Sequence, residues 1–326
     1  MNEVAAKVRC SVYRSGKKLR EVSIDDISVA LEEEGTFVWL GLFEPDVELM
    51  RKVQEEFCLH ELAVEDALKA HQRPKLEEYG DTLFIVLRTM TLVDKTINHG
   101  ETHLFVGPRF VVTIRHGNSA GYASVRERTE FMPSRLATGP GYVLYSIIDF
   151  IVDHYQPCID NLQARFRQVE EELFQPDPPI SNLEDFYDLK NELLTLHAAA
   201  FPLTDICNEL LRFHGDIVPK ENRIYYRDIL DHVARVTHTA DRIQEMINAA
   251  MQVSLAQMTI RQNEVVKRLA GWGAILALPT MVFSLYGMNF DFMPELKWRF
   301  GYPAVMIGIV IGCYLLYRRL KRVGWM

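Results

Sequence analysis

The polarity pattern of residues 1–135 alternates between two kinds of segment. Segments rich in β-branched and aromatic residues, bounded by glycine or proline, predict strands, and segments with apolar residues every three or four positions predict helices. Two short helices are predicted at 46–58 and 59–70. The predicted strands lie at 8–13, 36–42, 82–93, 102–106 and 109–115. Residues 1–135 are therefore expected to form an α/β domain.

A helical pattern replaces this alternation after the glycine and proline residues at 139–141. Residues 142–174 predict one long helix, which ends before a proline-rich segment. Residues 182–214 predict a returning helix that is interrupted near Pro202. We interpret residues 136–219 as a helical hairpin.

A much longer helix is predicted next, because residues 221–270 contain neither glycine nor proline. About fifty helical residues would extend roughly 75 Å, far beyond the usual length in globular proteins. One apolar seam repeats with alternating spacings of three and four, so it can pack against neighbouring helices. The seam comprises Val233, Val236, Ala240, Ile243, Ile247 and Ala250. The pattern continues into an apolar stretch without a break, which predicts a single stalk helix over 220–286.

Two apolar stretches, 269–286 and 300–317, each extend for about eighteen residues, near the lower limit for crossing a hydrocarbon core of about 30 Å. They predict transmembrane helices at about 268–286 and at 302–318. The alternative is two buried helices of a soluble protein. Pro279 frees a backbone carbonyl within the first stretch, which is tolerable where that carbonyl faces protein or a water-filled path.

Positive charges precede the first stretch and follow the second, at the ends that lie away from the connecting loop. The flanking cations are Lys267, Arg268, Arg318, Arg319, Lys321 and Arg322. The positive-inside rule therefore predicts that both outer ends, including the basic tail 319–326, are cytoplasmic, and that the loop 287–301 faces the opposite side. Trp298, Tyr302 and Tyr317 stand where interfacial aromatic residues belong.

The charge distribution separates the predicted soluble part from the predicted membrane part. The formal charge is −8, with nine Lys or Arg against three Asp or Glu from residue 261 onward, so the rest of the chain carries about −14. An acidic surface repels nucleic acid and concentrates divalent cations, although it also suits solubility alone. Nucleic acid is therefore not expected as a partner.

Motifs of common enzyme classes are missing from the sequence. The five cysteines include no CxxC pair, so they predict neither a zinc site nor a disulfide framework, and they suit a reducing cytosol. The glycines at 139–141 lack the arrangement of a phosphate-binding loop, and the histidines have no metalloprotease spacing. The N-terminus has no apolar signal segment, so membrane insertion is expected to depend on the C-terminal hairpin. An enzyme is not expected.

Two membrane spans cannot enclose a pore, so transport of a polar solute would require several copies whose first spans line a shared axis. A stripe of residues that shifts gradually around the first span is expected to line the shared pore. The stripe comprises Asn263, Val266, Leu269, Gly273, Ala277, Thr280 and Ser284. Hydroxyls bonded back to their own helix are an alternative for Thr280 and Ser284. For the apolar members the alternatives are plain helix packing and a hydrophobic collar that gates by dewetting.

Several motifs resemble the CorA family of magnesium/cobalt transporters over nearly the whole chain. They are YGMNF at 286–290, MPEL at 293–296, GYP at 301–303, VEDA at 64–67, HQRPK at 71–75 and YRDILDH at 226–232. The resemblance implies a homopentamer in a bacterial-type plasma (inner) membrane. It also implies a cytoplasmic α/β funnel, a stalk helix that continues into the first span, and an outer ring of Gly287, Met288 and Asn289 that captures Mg²⁺. Relatives commonly admit Co²⁺ and Ni²⁺.

The chemistry of Mg²⁺ suits an asparagine at this position. Mg²⁺ dehydrates reluctantly, so neutral amide and backbone carbonyl oxygens can hold the hydrated ion by outer-shell hydrogen bonds and still release it. A ring of aspartates would bind too tightly for flow. We expect Asn289 to contact the hydrated ion and Gly287 to permit the turn that aims the carbonyls. Moving two charges inward across 100 mV is worth about 4.6 kcal/mol, so uptake needs neither ATP nor an organic cofactor.

The resemblance also implies a regulatory site, in which cytoplasmic Mg²⁺ held between subunits by carboxylates keeps the pore closed. Asp228 matches one such acid through its place in the stalk motif, and a solvated charge on the stalk is the alternative role for it. Asp94 is the nearest acid after the long predicted strand and is the expected partner. Thr204 departs from the family pattern, where relatives often carry a basic residue.

Two other functions compete with a Mg²⁺ channel. A zinc transporter like the ZntB branch is disfavoured because that branch typically has isoleucine where Met288 stands. A non-conducting, membrane-anchored coiled-coil scaffold would leave Asn289 and Asn263 without a role.

Overall fold

The computed structural model describes residues 8–175, 182–288, 293 and 298–326. The chain divides into two compact units, Met1–Asn248 and Ala249–Met326. The first contains an α/β domain followed by helices, and the second contains two apolar helical segments. This confirms the predicted fold class of an N-terminal α/β domain, a long helix and a C-terminal apolar helix.

A mixed sheet forms the centre of the first unit. Its strands are β1 (Val8–Arg14), β2 (Lys17–Glu21), β3 (Thr36–Phe43), β4 (Lys75–Tyr79), β5 (Thr82–Val93), β6 (Thr96–Gly107) and β7 (Phe110–Gly117). The spatial order is β2-β1-β3-β7-β6-β5-β4. The β3–β7 pair is parallel and the other neighbours are antiparallel. The five predicted strands are present, and β2 and β4 at the two edges were missed.

Ten helices accompany the sheet in the described part of the chain. They are α1 (Ile27–Glu32), α2 (Val47–Phe57), α3 (Glu61–Leu68), α4 (Ala123–Glu130), α5 (Pro133–Leu136), α6 (Pro140–Leu173), α7 (Asn182–Ala200), α8 (Pro202–Phe213), α9 (Arg223–Tyr286) and α10 (Gly301–Arg322). Short 3-10 turns at Ile24–Asp26 and Lys220–Asn222 precede α1 and α9.

The sheet is buried on both faces. One face packs on α1, α2 and α3 through a core that includes Val38, Met50 and Phe105. Because successive side chains of a strand alternate between faces, Trp39 and Leu104 point to the other side, where α6 packs across β5, β6 and β7. Apolar residues therefore occur at nearly every position of the central strands.

Close contacts join α6 to the beginning of α9. The Tyr226 hydroxyl, on a fully buried side chain, donates to the Gly141 carbonyl over 2.9 Å. A Cβ on Gly141 would lie 1.9 Å from the Ile217 carbonyl oxygen, so only glycine permits this approach. The start of the stalk helix is thereby fixed to the α/β domain.

Candidate functional site

The seven residues of the expected pore stripe all lie on α9, and all are exposed in the single chain. A different face of the same helix contacts the C-terminal segment. Gly271 lies beside Met326, Ile275 meets Cys313, and Leu278 meets Gly312. With about 3.6 residues per turn, the contact positions fall roughly opposite the stripe. The stripe is thus part of the broad surface of α9 that α10 leaves uncovered, which also includes Trp272, Leu276 and Phe283.

Pro279 lies inside α9, where its missing N–H leaves the Ile275 carbonyl without a helical partner. The Cys313 thiol of α10 approaches this carbonyl oxygen at 3.7 Å and donates to it. The freed carbonyl therefore faces protein, one of the two environments that the sequence required. The same contact joins the two apolar helices.

This contact gives a stability prediction. Cys313→Ala should leave the Ile275 carbonyl unpaired in an apolar setting and lower stability by about 1 kcal/mol, measured as a lower Tm in detergent. In a Pro279→Ala background the backbone N–H at 279 satisfies that carbonyl, so the same cysteine substitution should have almost no effect. An equal loss of Tm in both backgrounds would contradict the assignment.

The hydroxyl of Thr280 donates to the Leu276 carbonyl over 2.8 Å. This hydrogen bond is the back-bonded arrangement that the sequence allows for a helical threonine. The side chain remains exposed on the stripe, so its oxygen still has acceptor capacity on that face.

Of the expected outer ring of Gly287, Met288 and Asn289, the structure describes Gly287 and Met288. α9 ends at Tyr286, and the Gly287 N–H continues the helical pattern by donating to the Phe283 carbonyl over 2.9 Å. Gly287 does not adopt a left-handed backbone, and residues 289–292, which continue the expected turn, lie outside the described residues. A Cβ on Gly287 would lie 3.3 Å from the Phe283 carbonyl oxygen, which is a tight contact. Asn289 lies outside the described residues.

Both C-terminal helices have the length and apolarity to cross a membrane. Of the most apolar eighteen residues of each helix, only 6% are buried within the chain. This exposure contradicts the alternative of two buried helices of a soluble protein, because a soluble core would cover those side chains. Large exposed side chains such as Leu269, Leu276 and Val310 require a lipid or protein environment.

The stalk motif divides its residues between two tasks. Tyr226 is fully buried and anchors the helix, whereas the Asp228 side chain is 60% exposed. The His232 Nε2 atom lies 3.9 Å from the Asp228 carboxylate, one helical turn away. Asp228 is therefore available to a ligand or to a neighbouring chain.

Two acids of α6, Asp149 and Asp153, lie in the same charged region as Asp228. The sequence did not identify them. Burial raises the pKa of Asp149, and the charge of Asp153 adds to this, against the opposing effects of Arg128 and His232. Burial also raises the pKa of Tyr145, with the charges of Asp149 and Asp228 contributing. The only signal in the sequence was two acids spaced four apart on a long helix.

Asp94 occupies the two-residue turn between β5 and β6, with φ of 47°, followed by Lys95 at 67°. This left-handed pair matches a tight hairpin turn, and no contact joins Asp94 to Asp228 within the described chain. Thr204 lies in the first turn of α8, and nothing in the structure explains its departure from a basic residue. Across the described residues, no three acids, histidines or cysteines gather into a metal site.

The VEDA and HQRPK segments are joined by an ion pair. The Lys75 ammonium lies 2.6 Å from Asp66 and 2.8 Å from Glu77, with all three side chains partly buried. Burial opposes the lysine charge, but the hydrogen bonds that Lys75 donates to these two carboxylates outweigh it and raise the Lys75 pKa. These motif residues thus close the connection from α3 to β4.

Known proteins provide an independent comparison. The family model described as "CorA-like Mg2+ transporter protein" matches residues 34–322. YfjQ of Bacillus subtilis (strain 168), named as a metal ion transporter, is 31% identical over 291 residues, covering 88% of this chain and 89% of that protein. The cobalt/magnesium transport protein CorA of Thermotoga maritima is 29% identical over 317 residues, with 94% and 89% coverage.

Solved structures agree with this result at the level of fold. The complete structure of the CorA magnesium transporter from Methanocaldococcus jannaschii superposes with a TM-score of 0.78 at 20% identity, covering 98% of this chain and 99% of that one. The match extends from the α/β domain through both apolar helices. The chain belongs to the CorA-like Mg²⁺ transporter family, whose members are membrane-embedded divalent cation transporters and not enzymes.

Proposed function

We propose that this chain forms a homopentameric channel for passive Mg²⁺ uptake across a bacterial-type plasma (inner) membrane. The observation that carries the proposal is the uncovered face of α9, where the seven stripe residues lie exposed opposite the contact with α10. Copies arranged around an axis can bury this face and enclose a path, which one chain with two spans cannot do.

The proposed selectivity element is the ring of Gly287, Met288 and Asn289 at the outer end of α9. The Asn289 amide is expected to hold hydrated Mg²⁺ by outer-shell hydrogen bonds. Asn263, Thr280 and Ser284 offer polar contacts along the path, and Val266, Leu269, Gly273 and Ala277 form its narrow apolar portion. Co²⁺ and Ni²⁺ are further expected cargo, in line with the cobalt/magnesium name of the Thermotoga relative.

The membrane potential supplies the driving force, and the positive-inside rule gives the orientation. Both termini and the α/β domain are proposed to be cytoplasmic, with the 287–301 loop on the outer side of the lipid bilayer. A flux assay tests the proposal: liposomes containing the purified protein should take up Mg²⁺, reported by an internal dye, when the interior is made negative. Absence of uptake would favour the scaffold hypothesis. Faster uptake of Zn²⁺ than of Mg²⁺ would favour a zinc transporter.

Closure by cytoplasmic Mg²⁺ is proposed to depend on Asp228. Its exposed carboxylate and the distance of His232 leave oxygen ligands available, and hard oxygen donors suit Mg²⁺. Because one chain gathers no three metal-ligating groups in its described residues, the site requires acids from adjacent subunits, with Asp94 as the proposed partner. Asp149 and Asp153 add negative charge near Asp228 on the same subunit.

Asp228→Ala should keep the channel conducting at millimolar internal Mg²⁺, where the wild type is inhibited. The expected change is an increase of at least about tenfold in the Mg²⁺ concentration for half inhibition, the equivalent of one lost charged hydrogen bond. Asp231→Ala, another exposed acid on α9, is the matched control and should retain wild-type inhibition. Unchanged inhibition in Asp228→Ala would remove this residue from the regulatory site.

A further inference from the structure

A cavity of about 280 Å³ lies in the first unit, where β5, β6 and β7 approach the end of α3 and the side of α7. Apolar walls come from Met90 and Ala199, and the polar groups include Arg88, Thr89 and Glu101. β4 pairs with β5 only as far as Val86, so the edge of β5 beyond it is open to this space. Mostly apolar concavities with a few convergent polar groups are typical ligand sites.

Glu101 is a buried carboxylate, 6% exposed, with one oxygen engaged and one available. Oε2 accepts from the backbone N–H groups of His71 at 2.9 Å and Gln72 at 3.2 Å, and lies 3.3 Å from the His103 ring. Burial alone would raise its pKa, but these hydrogen bonds lower it, so Glu101 is ionised at neutral pH. Oε1 lies 4.0 Å from the His71 ring, beyond hydrogen-bonding distance.

Arg88 stands directly opposite Glu101 in the β5–β6 ladder. Partners at this position normally have Cβ atoms about 4.5–5.5 Å apart, and opposite charges there commonly pair. The Glu101 carboxylate instead lies near the His71 and His103 rings, and the described part of the chain offers Arg88 no carboxylate within ion-pair distance. A cation and an anion therefore line the same cavity without contacting each other.

We propose that this cavity binds a small zwitterion of the free amino acid class, whose carboxylate pairs with Arg88 and whose ammonium pairs with Glu101. A bare cation is disfavoured because Arg88 repels it and no three metal-ligating groups gather there in the described residues. A simple anion is disfavoured because the Glu101 carboxylate faces it. The apolar walls leave room for a side chain.

Thermal unfolding of the full-length protein in detergent tests this, with each of the common free amino acids as probe. At least one should raise the Tm saturably, whereas acetate and methylamine, which carry one charge each, should not. Arg88→Met and Glu101→Gln should abolish the rise, and Arg167→Met, at an exposed position on α6 outside the cavity lining, should retain it.

The proposal is overturned if no amino acid raises the Tm of the wild type, if the rise survives Arg88→Met, or if methylamine alone reproduces it. Arg88→Met and Glu101→Gln should each keep a cooperative unfolding transition without ligand, which separates loss of binding from loss of folding. These results leave the channel proposal untouched, since Arg88 and Glu101 lie in the α/β domain and outside the stripe on α9.

Discussion

Asn289→Ala is expected to reduce Mg²⁺ flux into liposomes at least about tenfold while the protein still assembles. Alanine removes the amide oxygen that is proposed to hold the water shell of Mg²⁺, and one lost hydrogen bond to a charged species is worth about 1.5–3 kcal/mol. In a symmetric ring the loss is repeated in every subunit. Dye-reported uptake at fixed membrane potential measures the effect, with size-exclusion chromatography to monitor assembly.

Asn289→Asp separates weak capture from slow release. A ring of carboxylates should bind Mg²⁺ more tightly, so half-maximal uptake should occur at lower Mg²⁺ while the maximal rate falls. Asn191→Ala, at an exposed position on α7, is the matched control and should conduct like the wild type. Wild-type flux in Asn289→Ala would refute the selectivity ring, whatever the other two variants do.

Gly273→Leu is expected to abolish flux without destabilising the chain. A Cβ on Gly273 meets nothing within 4 Å in the single chain, so a leucine there costs no intramolecular packing. Around a shared axis, however, several added side chains would fill the narrowest apolar part of the path. We expect a loss of at least about a hundredfold in uptake, an added barrier of about 2.7 kcal/mol, with an unchanged Tm and elution volume.

Two glycines of α10 provide the controls for this experiment. Gly308 also has no neighbour within 4 Å of a built Cβ, but it lies outside α9, so Gly308→Leu should conduct normally. Gly312 faces Leu278 at 3.5 Å, so Gly312→Leu should lower the Tm through crowding rather than act on the path. If Gly273→Leu conducts like the wild type, the stripe does not line the channel.

The central strands and the long helices could be predicted from the sequence because burial dictates their patterns. β3, β5 and β7 are covered on both faces, so their apolar runs are nearly continuous. β2 and β4 were missed because KKLRE and KLEEY contain mostly charged and polar residues. They form strands because a neighbouring strand supplies backbone hydrogen-bond partners. The local sequence pattern does not show that such a neighbour is present.

The parts of the site that depend on helical periodicity could be predicted from the sequence. The parts that depend on contacts between distant elements could not. The spacing from Asn263 to Ser284 put the stripe on one face. The contact of the Cys313 thiol with the Ile275 carbonyl, in contrast, can be known only from the position of α10. Likewise, Asp149 and Asp228 belong to helices far apart in sequence, and only the packing of α6 beside the start of α9 brings their charges near Tyr145.

The two charged edge strands have a consequence for assembly. An unpaired strand edge can recruit any other strand, and short edges rich in lysine, arginine and glutamate resist this. Both free edges of this sheet, β2 and β4, are of that kind. Newly made chains that meet one another while folding are thereby protected from sheet-to-sheet aggregation.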